Sequence, residues 1–271
     1  MPQTVFITGA STGIGRATAI EFYNRGWNVV ATMRRPAQAT GLPNSERCCC
    51  LALDVTDHDS IITAIATAQA KFGTIDVLIN NAGYGLIGAF ENATPAQIRA
   101  QFETNVFGLM DVTRAILPHF RQRQQGILVN IASIGGRLTF PAYSLYHSTK
   151  WAVEGFSESL QFELRPFNIK VKIIEPGPIK TDFYDRSIQK SQETVDPIYD
   201  RYIQHTHDQT DKAGTGGADP ATVAKVIYHA STDGSWRLRY ATDTTGAALL
   251  FLRQILGDGW FIKFLRFILK A

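Results

Sequence analysis

The N-terminal stretch constrains the fold more than any other part of the sequence. Thr4-Val-Phe-Ile-Thr8 is a β-rich run, a glycine-rich loop follows from Gly9 to Gly15, and a helical stretch ends near Gly26. Glycines let the backbone turn tightly and leave room for a pyrophosphate beside the positive N-terminus of a helix. The pattern therefore favours a dinucleotide site, with a purely structural turn as the alternative.

Further along, strand-like runs and helical segments alternate at regular intervals. Strands are expected at Asn28–Met33, Cys48–Leu53, Asp76–Ile79, Gly126–Ser133, Ile169–Ile174 and Trp236–Tyr240. Thr94 and Gln97 have the spacing of a capping box, so a helix is expected to begin at Pro95. Alternation of this kind predicts an α/β fold: one Rossmann-type, doubly wound parallel sheet flanked by helices, in a single domain over residues 1–271.

Three side chains with proton chemistry fall on this pattern. Ser133 closes the fifth strand, at the end where open α/β sheets place ligands. Tyr146 and Lys150 are four residues apart in a helical run, so their side chains emerge from one face, one turn apart. An ammonium favours a nearby phenolate, so Tyr146 is a candidate acid or base for a carbonyl and alcohol pair, with Ser133 holding the substrate oxygen. His147, next to the tyrosine, is expected on the helix surface rather than as a second acid.

The second strand ends in Arg34-Arg35 rather than in an acidic residue. A carboxylate there would bond the ribose 2′-hydroxyl of NAD and repel a 2′-phosphate, whereas arginine pairs with phosphate. The sequence therefore predicts NADP(H) in preference to NAD(H), and a solvated strand end is the competing interpretation. Asp54, at the end of the third strand, is placed to bond the adenine amine.

Composition and cysteine usage narrow the class of protein. The 271 residues are 45% hydrophobic and 19% charged with a net charge of +3, which is ordinary for a globular enzyme and gives little support for a nucleic-acid partner. The adjacent Cys48, Cys49 and Cys50 cannot form a disulfide framework or a CxxC metal site, so no metal is expected. The strand-like N-terminus favours a cytoplasmic location.

Together these motifs resemble the classical short-chain dehydrogenase/reductase family over nearly the whole chain. Thr8–Gly15 is similar to its TGxxxGxG loop, Asn80–Gly83 to its NNAG strand, Ser133 with Tyr146-x-x-x-Lys150 to its catalytic group, and Pro176-Gly177 to its PG turn. Ala31–Arg34 resembles the NADP-preferring branch that includes 17β-hydroxysteroid and retinol dehydrogenase-like enzymes. Thr32 stands where NAD-dependent members carry Asp.

The resemblance implies a mechanism and a set of site residues. Nicotinamide exchanges hydride with a substrate carbon while Tyr146 exchanges the proton, and Lys150 lowers the tyrosine pKa and bonds the nicotinamide ribose. Asn105 fits the family's catalytic asparagine, which holds a water linking the lysine to solvent. The implied cofactor contacts are Gly9, Ser11, Thr12, Gly13, Ile14, Gly15, Arg34, Asp54, Val55, Asn81, Ala82, Gly83, Tyr146, Lys150, Pro176, Gly177, Ile179 and Thr181.

The implied activity is reversible, NADP(H)-dependent interconversion of a carbonyl and a secondary alcohol. A mainly apolar small-molecule substrate is expected from Tyr84, Leu86, Phe140, Leu145 and Phe183, unless these residues are ordinary core. Family members commonly form homodimers or homotetramers through the helices that bear Asn105 and Tyr146. A regulator that binds NADP(H) without turnover is the alternative, although a sensor needs no proton donor beside the nicotinamide.

Two segments lie outside the motifs. Residues 183–217 are polar and contain glycines, which suits a substrate lid or a surface insertion with no role. Residues 247–271 are expected as an amphipathic helical extension, with Lys263, Arg266 and Lys270 apart from the apolar positions 260, 261, 264, 265 and 268. Such a helix can pack on its own protein, join subunits or make peripheral contact with an anionic membrane. In the last case catalysis would be incidental to recruitment.

Overall fold

A computed structural model of the chain describes residues 2–180, 188–190 and 216–269. The strands are β1 (Thr4–Ile7), β2 (Asn28–Met33), β3 (Cys48–Ala52), β4 (Val77–Asn80), β5 (Gly85–Ile87), β6 (Gly126–Ile131), β7 (Ile169–Glu175), β8 (Ile188–Lys190) and β9 (Arg239–Ala241). The helices are α1 (Gly13–Asn24), α2 (His58–Phe72), α3 (Pro95–Phe102), α4 (Gly108–Arg123), α5 (Ser144–Leu164), α6 (Pro220–Thr232) and α7 (Thr244–Leu269).

Seven of these strands form one parallel sheet in the order β3-β2-β1-β4-β6-β7-β9. The order reverses between β1 and β4, which is where doubly wound sheets open a crevice at the carboxyl ends of the strands. The predicted fold class is confirmed. The short strands β5 and β8 pair separately, also in parallel.

Apolar side chains cover both faces of the sheet. Along β1, Val5 and Ile7 pack in the cluster that includes α1 and α6, whereas Phe6 packs in the cluster that includes α2, α4 and α5. Successive strand residues point to opposite faces, so a strand buried on both sides reads as a continuous apolar run. The capping box of α3 also forms, because Thr94 Oγ1 accepts from the Gln97 amide at 3.2 Å and Gln97 Oε1 accepts from the Thr94 amide at 2.9 Å.

A buried lysine ties β7 to the edge strand β9. The Lys172 side chain is 1% exposed, and its Nζ donates to Asp233 Oδ1 at 3.2 Å, to the Ser235 carbonyl at 2.8 Å and to the Tyr240 hydroxyl at 2.9 Å. Despite burial, hydrogen bonds from Tyr240, Ser235 and Lys172 hold the pKa of Asp233 well below its usual range. Burial and the adjacent Asp233 raise the pKa of Tyr240 to about 12.

Replacing Asp233 by alanine is expected to lower the free energy of unfolding by about 3 kcal/mol, because Lys172 is left as an unpaired buried charge. Since the pKa of Asp233 is lower in the folded than in the unfolded chain, its contribution is present at neutral pH and is lost as pH falls below about 4. Urea unfolding at pH 7 and pH 3 measures both effects. Asp219→Ala, which removes only the α6 cap, is the control at about 1 kcal/mol. Equal losses for the two variants would contradict the assignment.

The C-terminal helix α7 bends at Gly257, whose φ is 67°. Leu250, Phe261 and Leu265 are buried against Ile134 and Leu138, which follow Ser133. The helix therefore packs against the segment that follows Ser133 in its own chain. No helix in the described ranges has the length and hydropathy to cross a bilayer.

One feature of the predicted C-terminal helix is wrong. The sequence pattern predicts Trp260 on the same apolar face as Phe261, but Trp260 is 68% exposed whereas Phe261 is 1% exposed. Adjacent helical positions differ by about 100°, so Phe261 takes the inward position and Trp260 turns to solvent. The predicted lid over 183–217 lies outside the described residues, except for β8 and positions 216 and 217.

Candidate active site

The glycine loop crosses the carboxyl end of β1 with no space for a Cβ at Gly9 or Gly15. A Cβ on Gly15 would lie 2.4 Å from the Gly9 carbonyl oxygen and 2.6 Å from Asn81 Nδ2. Gly9 has a φ of +67°, and a Cβ there would lie 2.8 Å from the Ala82 Cα. Asn81 Nδ2 also donates to the Thr8 and Gly9 carbonyls, both at 3.0 Å. The segment after β4 therefore holds the glycine loop in place.

The N-terminus of α1 has the features of a phosphate site. Its cap, Thr12, makes no side-chain cap bond, and the first turn carries no acidic residue. Its first amides are therefore without a partner inside the helix, which is the arrangement that binds a pyrophosphate. These residues fit the dinucleotide that the sequence predicts.

The loop opens into a cleft of about 590 Å³ at the carboxyl ends of the strands. Most predicted site residues line it: Gly9, Ser11, Thr12, Gly13, Ile14, Arg34, Asp54, Val55, Asn81, Ala82, Gly83, Ser133, Tyr146, Lys150, Pro176, Gly177 and Ile179. Gly15 and Asn105 do not line the cleft: Gly15 packs against Gly9 and Asn81, and Asn105 bonds to Tyr84 and Thr149. Thr181 lies outside the described residues.

Ser133 stands at the end of β6 as the cap of the following 3-10 turn, Ile134–Gly136. Its Oγ accepts from the Gly135 amide at 3.0 Å and donates to the Pro176 carbonyl at 3.3 Å. A Cβ on Gly135 would lie 2.5 Å from His147 Cδ2, so the turn fits only with glycine at that position. The hydroxyl is thereby held at the mouth of the cleft between β6 and the PG turn.

Tyr146 and Lys150 lie one turn apart on α5 and both line the cleft. The Lys150 Nζ donates to the Ile131 carbonyl at 2.8 Å and lies 5.7 Å from the centre of the Tyr146 ring. Burial lowers the pKa of Lys150 to about 8, and Glu154 opposes that shift. Lys150 is therefore mostly charged at neutral pH and loses its charge in mildly alkaline solution.

Asn105 lies in a π-helical turn, Glu103–Phe107, between α3 and α4. Its Oδ1 accepts from the Tyr84 amide at 3.0 Å, and its Nδ2 donates to the Tyr84 carbonyl at 2.8 Å and to Thr149 Oγ1 at 3.1 Å. The carboxamide therefore joins the segment after β4 to the helix that carries Lys150. Its role in holding a water stays a prediction, and π-turns of this kind are frequent at functional sites.

The prediction that His147 lies on the helix surface is wrong. The residue is 4% exposed, its Nδ1 accepts from the Phe140 amide at 3.3 Å, and the Tyr143 ring stacks on it with centres 5.2 Å apart. Burial lowers the pKa of His147 to about 4, so it is neutral at physiological pH. The segment between Ser133 and α5 folds back over the start of the helix, and helical periodicity alone does not reveal such a cover.

The far end of the cleft is formed by the ends of β2 and β3. Arg34 is exposed there, and no hydrogen bond or ion pair joins its guanidinium to another described residue. Asp54 Oδ1 accepts from the Thr56 amide at 3.0 Å and from Thr56 Oγ1 at 2.8 Å. A free guanidinium and an ordered carboxylate thus stand where the adenosine half of a dinucleotide would end.

The expected pocket residues do not share one place. Tyr84 lines the cleft, Leu86 is core at 1% exposure, Phe140 packs with the α7 cluster and Leu145 is half-buried. Phe183 lies outside the described residues. Tyr143 also lines the cleft, with its ring centre 6.3 Å from that of Tyr146. The sequence analysis did not predict Tyr143 as a site residue. The only local signal is its position one helical turn before His147.

A family model described as short chain dehydrogenase matches residues 3–192 of the chain. The chain belongs to the short-chain dehydrogenase/reductase family. Members are oxidoreductases that act on alcohol and carbonyl groups with a nicotinamide cofactor, commonly on small molecules and commonly as oligomers. The chain is therefore an oxidoreductase that acts on alcohol or carbonyl groups.

Named relatives agree with this placement in the family. The oxidoreductase BOA17 of Botryotinia fuckeliana is 39% identical over 231 residues, which cover 84% of each chain. Retinol dehydrogenase 8 of Bos taurus is 32% identical over 272 residues, covering 94% of this chain and 86% of the relative. A solved short-chain dehydrogenase from Streptomyces avermitilis superimposes with a TM-score of 0.84 at 37% identity, covering 94% of each chain.

Proposed function

We propose that the chain is an NADP(H)-dependent oxidoreductase that interconverts a ketone or aldehyde and the corresponding alcohol on a mainly apolar, steroid-, retinoid- or lipid-like small molecule. The observation that carries this proposal is one shared cleft. Ser133, Tyr146 and Lys150 line it at one end, and Arg34 lines it at the other, with the glycine loop between them.

Each side chain has a distinct task in the reduction. A nicotinamide cofactor held in this cleft would supply the hydride that the carbonyl carbon accepts. Tyr146 donates its phenolic proton to the carbonyl oxygen, and the Lys150 ammonium stabilises the phenolate that remains. The Ser133 hydroxyl, which otherwise donates to Pro176, turns to the substrate oxygen. The reverse sequence oxidises the alcohol.

Arg34 supports NADP(H) as the preferred cofactor. Its exposed guanidinium has no described partner, so a 2′-phosphate would gain a charge-assisted pair without breaking an existing one. Thr32, where a carboxylate would repel that phosphate, is instead buried, and its Oγ1 donates to the Ile7 carbonyl at 3.0 Å.

Consumption of NADPH and of NADH across steroid, retinoid, aliphatic and aromatic carbonyls tests the proposal. The name of retinol dehydrogenase 8 makes retinoids the first substrates to try. We expect faster turnover with NADPH on at least one apolar carbonyl. Tight NADPH binding with no turnover on any of them would favour the alternative function, a regulator that binds NADP(H) without chemistry.

The outward face of α7 supports a second proposal, a cytoplasmic protein that touches an anionic membrane through this helix. Trp260 and Phe267 are 68% and 85% exposed, and Lys263 and Arg266 lie between them, with the Lys263 ammonium 4.7 Å from the centre of the Trp260 ring. Aromatic side chains among cations are typical of helices that lie in the membrane interface. A symmetric dimer through the same face is less favourable, because it would bring Lys263 and Arg266 of one copy close to the same cations of the other.

Sedimentation with vesicles of phosphatidylcholine, with and without phosphatidylserine, tests this contact. Lys263→Glu with Arg266→Glu is expected to abolish binding to the anionic vesicles, because each basic residue near such a surface contributes about 1 kcal/mol. Lys71→Glu with Lys225→Glu changes two exposed cations on other helices and serves as the control. Equal binding by both pairs, or none by the unmodified chain, would exclude the membrane.

Exposed aromatic residues also support a homodimer or homotetramer. Phe107, the last residue of the π-helical turn before α4, is 49% exposed, and Phe162, on α5, is 70% exposed. Phe107 is close to Asn105 in the chain, and Phe162 shares α5 with Tyr146. Burying both aromatic residues between copies would therefore stabilise the segments that carry these two site residues. Analytical ultracentrifugation of the unmodified chain and of Phe162→Glu measures the assembly state, and a monomer at all concentrations would exclude it.

A further inference from the structure

One turn beyond Lys150 on α5 lies a buried carboxylate, Glu154, that the mechanism above does not use. Its side chain is 5% exposed, and its Oε2 accepts from Arg239 Nε on β9 at 2.9 Å. Its Oε1 is buried and has no hydrogen-bond partner among the described residues. A carboxylate in such a place is costly, so its position beside the catalytic lysine calls for an explanation.

Other charged side chains lie near this carboxylate on α5, β7, β9 and the turn after Ser133. Arg239 also pairs with the more exposed Glu158, and Arg137 pairs with Glu175 at the end of β7, Nη1 to Oε1 at 3.2 Å. With Lys150 and Glu154 the group holds three cations and three anions when all are ionised. Removing the charge of Glu154 alone would leave one positive charge in excess next to Lys150.

Glu154 also packs beneath the turn that carries Ser133. A Cβ on Gly136 would lie 2.8 Å from Glu154 Cγ and 2.9 Å from the Lys150 carbonyl oxygen. The 3-10 turn that begins after Ser133 therefore rests directly on α5 at these two residues. The same carboxylate is thus placed to affect the charge of one catalytic group and the position of another.

We propose that Glu154 is a positioning residue for the oxidoreductase reaction: its buried carboxylate keeps Lys150 charged and supports the Ser133 turn. This inference rests on the proposed function of Tyr146 and Lys150. Lys150 and Glu154 are at i and i+4 of one helix, where opposite charges attract. The low local dielectric strengthens that attraction relative to an exposed pair.

The pH dependence follows from the signs of the shifts. Burial, and then Glu175, raises the pKa of Glu154 to about 7 against the opposing effect of Arg239 and Arg137, whereas burial lowers the pKa of Lys150 to about 8. Both groups are charged together mainly between these values. Loss of the carboxylate removes the group that raises the pKa of Lys150, so the lysine would lose its proton at a lower pH.

The experiment measures kcat/KM against pH for the fastest carbonyl of the panel with saturating NADPH. Glu154→Gln is expected to move the alkaline limb down by about one pH unit, the effect of losing one nearby opposite charge. Glu158→Gln is the matched control, because it removes a carboxylate from the same Arg239 one turn farther from Lys150 and should leave the limb in place. Glu154→Asp keeps the charge, so its alkaline limb should stay close to that of the unmodified chain.

A double-mutant cycle tests the same pair without a substrate. Glu154→Gln and Lys150→Met are combined, and urea unfolding at pH 7.5 should give a coupling of at least about fivefold in the unfolding equilibrium constant. If Glu154→Gln does not fold, Glu154→Met removes the charge with similar volume. The inference would be overturned if the unmodified chain turns over, its pH profile and that of Glu154→Gln superimpose, and the unfolding effects of Glu154→Gln and Lys150→Met are additive. If the unmodified chain shows no turnover but the two substitutions are coupled in unfolding, only the proposed function would be overturned.

Discussion

Tyr146→Phe is expected to lower turnover with NADPH by about a thousandfold while leaving the NADPH dissociation constant unchanged. The substitution removes the proton donor but keeps the ring, and general acid catalysis commonly contributes 10²- to 10⁴-fold. Lys150 keeps its bond to the Ile131 carbonyl, because that bond does not involve the phenol. Single-turnover NADPH oxidation and fluorescence titration of NADPH measure the two quantities separately.

Tyr143→Phe is the matched control for this substitution. Tyr143 also lines the cleft, but it stacks on the neutral ring of His147 and is not one turn from Lys150. Loss of one ordinary hydrogen bond corresponds to less than about tenfold. If the two variants lost turnover equally, the phenol of Tyr146 would have no special part in proton transfer, and the reductase mechanism would be wrong.

Arg34→Ala is expected to lower kcat/KM for NADPH by about 50-fold and to leave kcat/KM for NADH within about twofold. A hydrogen-bonded pair with a charged group contributes about 1.5 to 3 kcal/mol, and only NADPH carries the 2′-phosphate that Arg34 would bind. The loss should shrink as salt rises, because Arg34 is exposed and its charge is screened.

Arg35→Ala provides the comparison within the same dipeptide. Arg35 is also exposed, but it does not line the cleft, so its loss should change neither coenzyme by more than about twofold. Equal losses for NADPH and NADH in Arg34→Ala would show that the guanidinium does not distinguish the coenzymes. In that case the two arginines would be a solvated strand end, and the preference for NADP(H) would be lost.

Much of the fold and of the site follows from local patterns in the sequence. The Gly9–Gly15 loop needs positions where no Cβ fits, because a Cβ on Gly15 would lie 2.4 Å from the Gly9 carbonyl oxygen. Tyr146 and Lys150 share a face because helical spacing alone decides it. The apolar runs of β1 and β6 predict a sheet covered on both sides. In each case the deciding interaction lies within a few residues, so the sequence displays it directly.

Contacts between distant segments are different. The Glu154 and Arg239 pair joins residues 85 positions apart, and Asn105 reaches Thr149 from 44 positions away. Neither residue carries a local pattern that names its partner. The prediction of a surface position for His147 fails for the same reason, because the turn that covers it follows β6 and lies outside the helix that carries His147.

By itself, the sequence determined which backbone positions must be glycine, which side chains share a helix face and which runs become buried strands. Those properties depend on sterics and periodicity along the chain. Only the tertiary structure decided that a buried carboxylate lies behind Lys150, that Asn105 clamps the Tyr84 backbone and that Trp260 faces solvent. Burial and charge pairing depend on which segments meet across the sheet, and that is set by the packing of the whole chain.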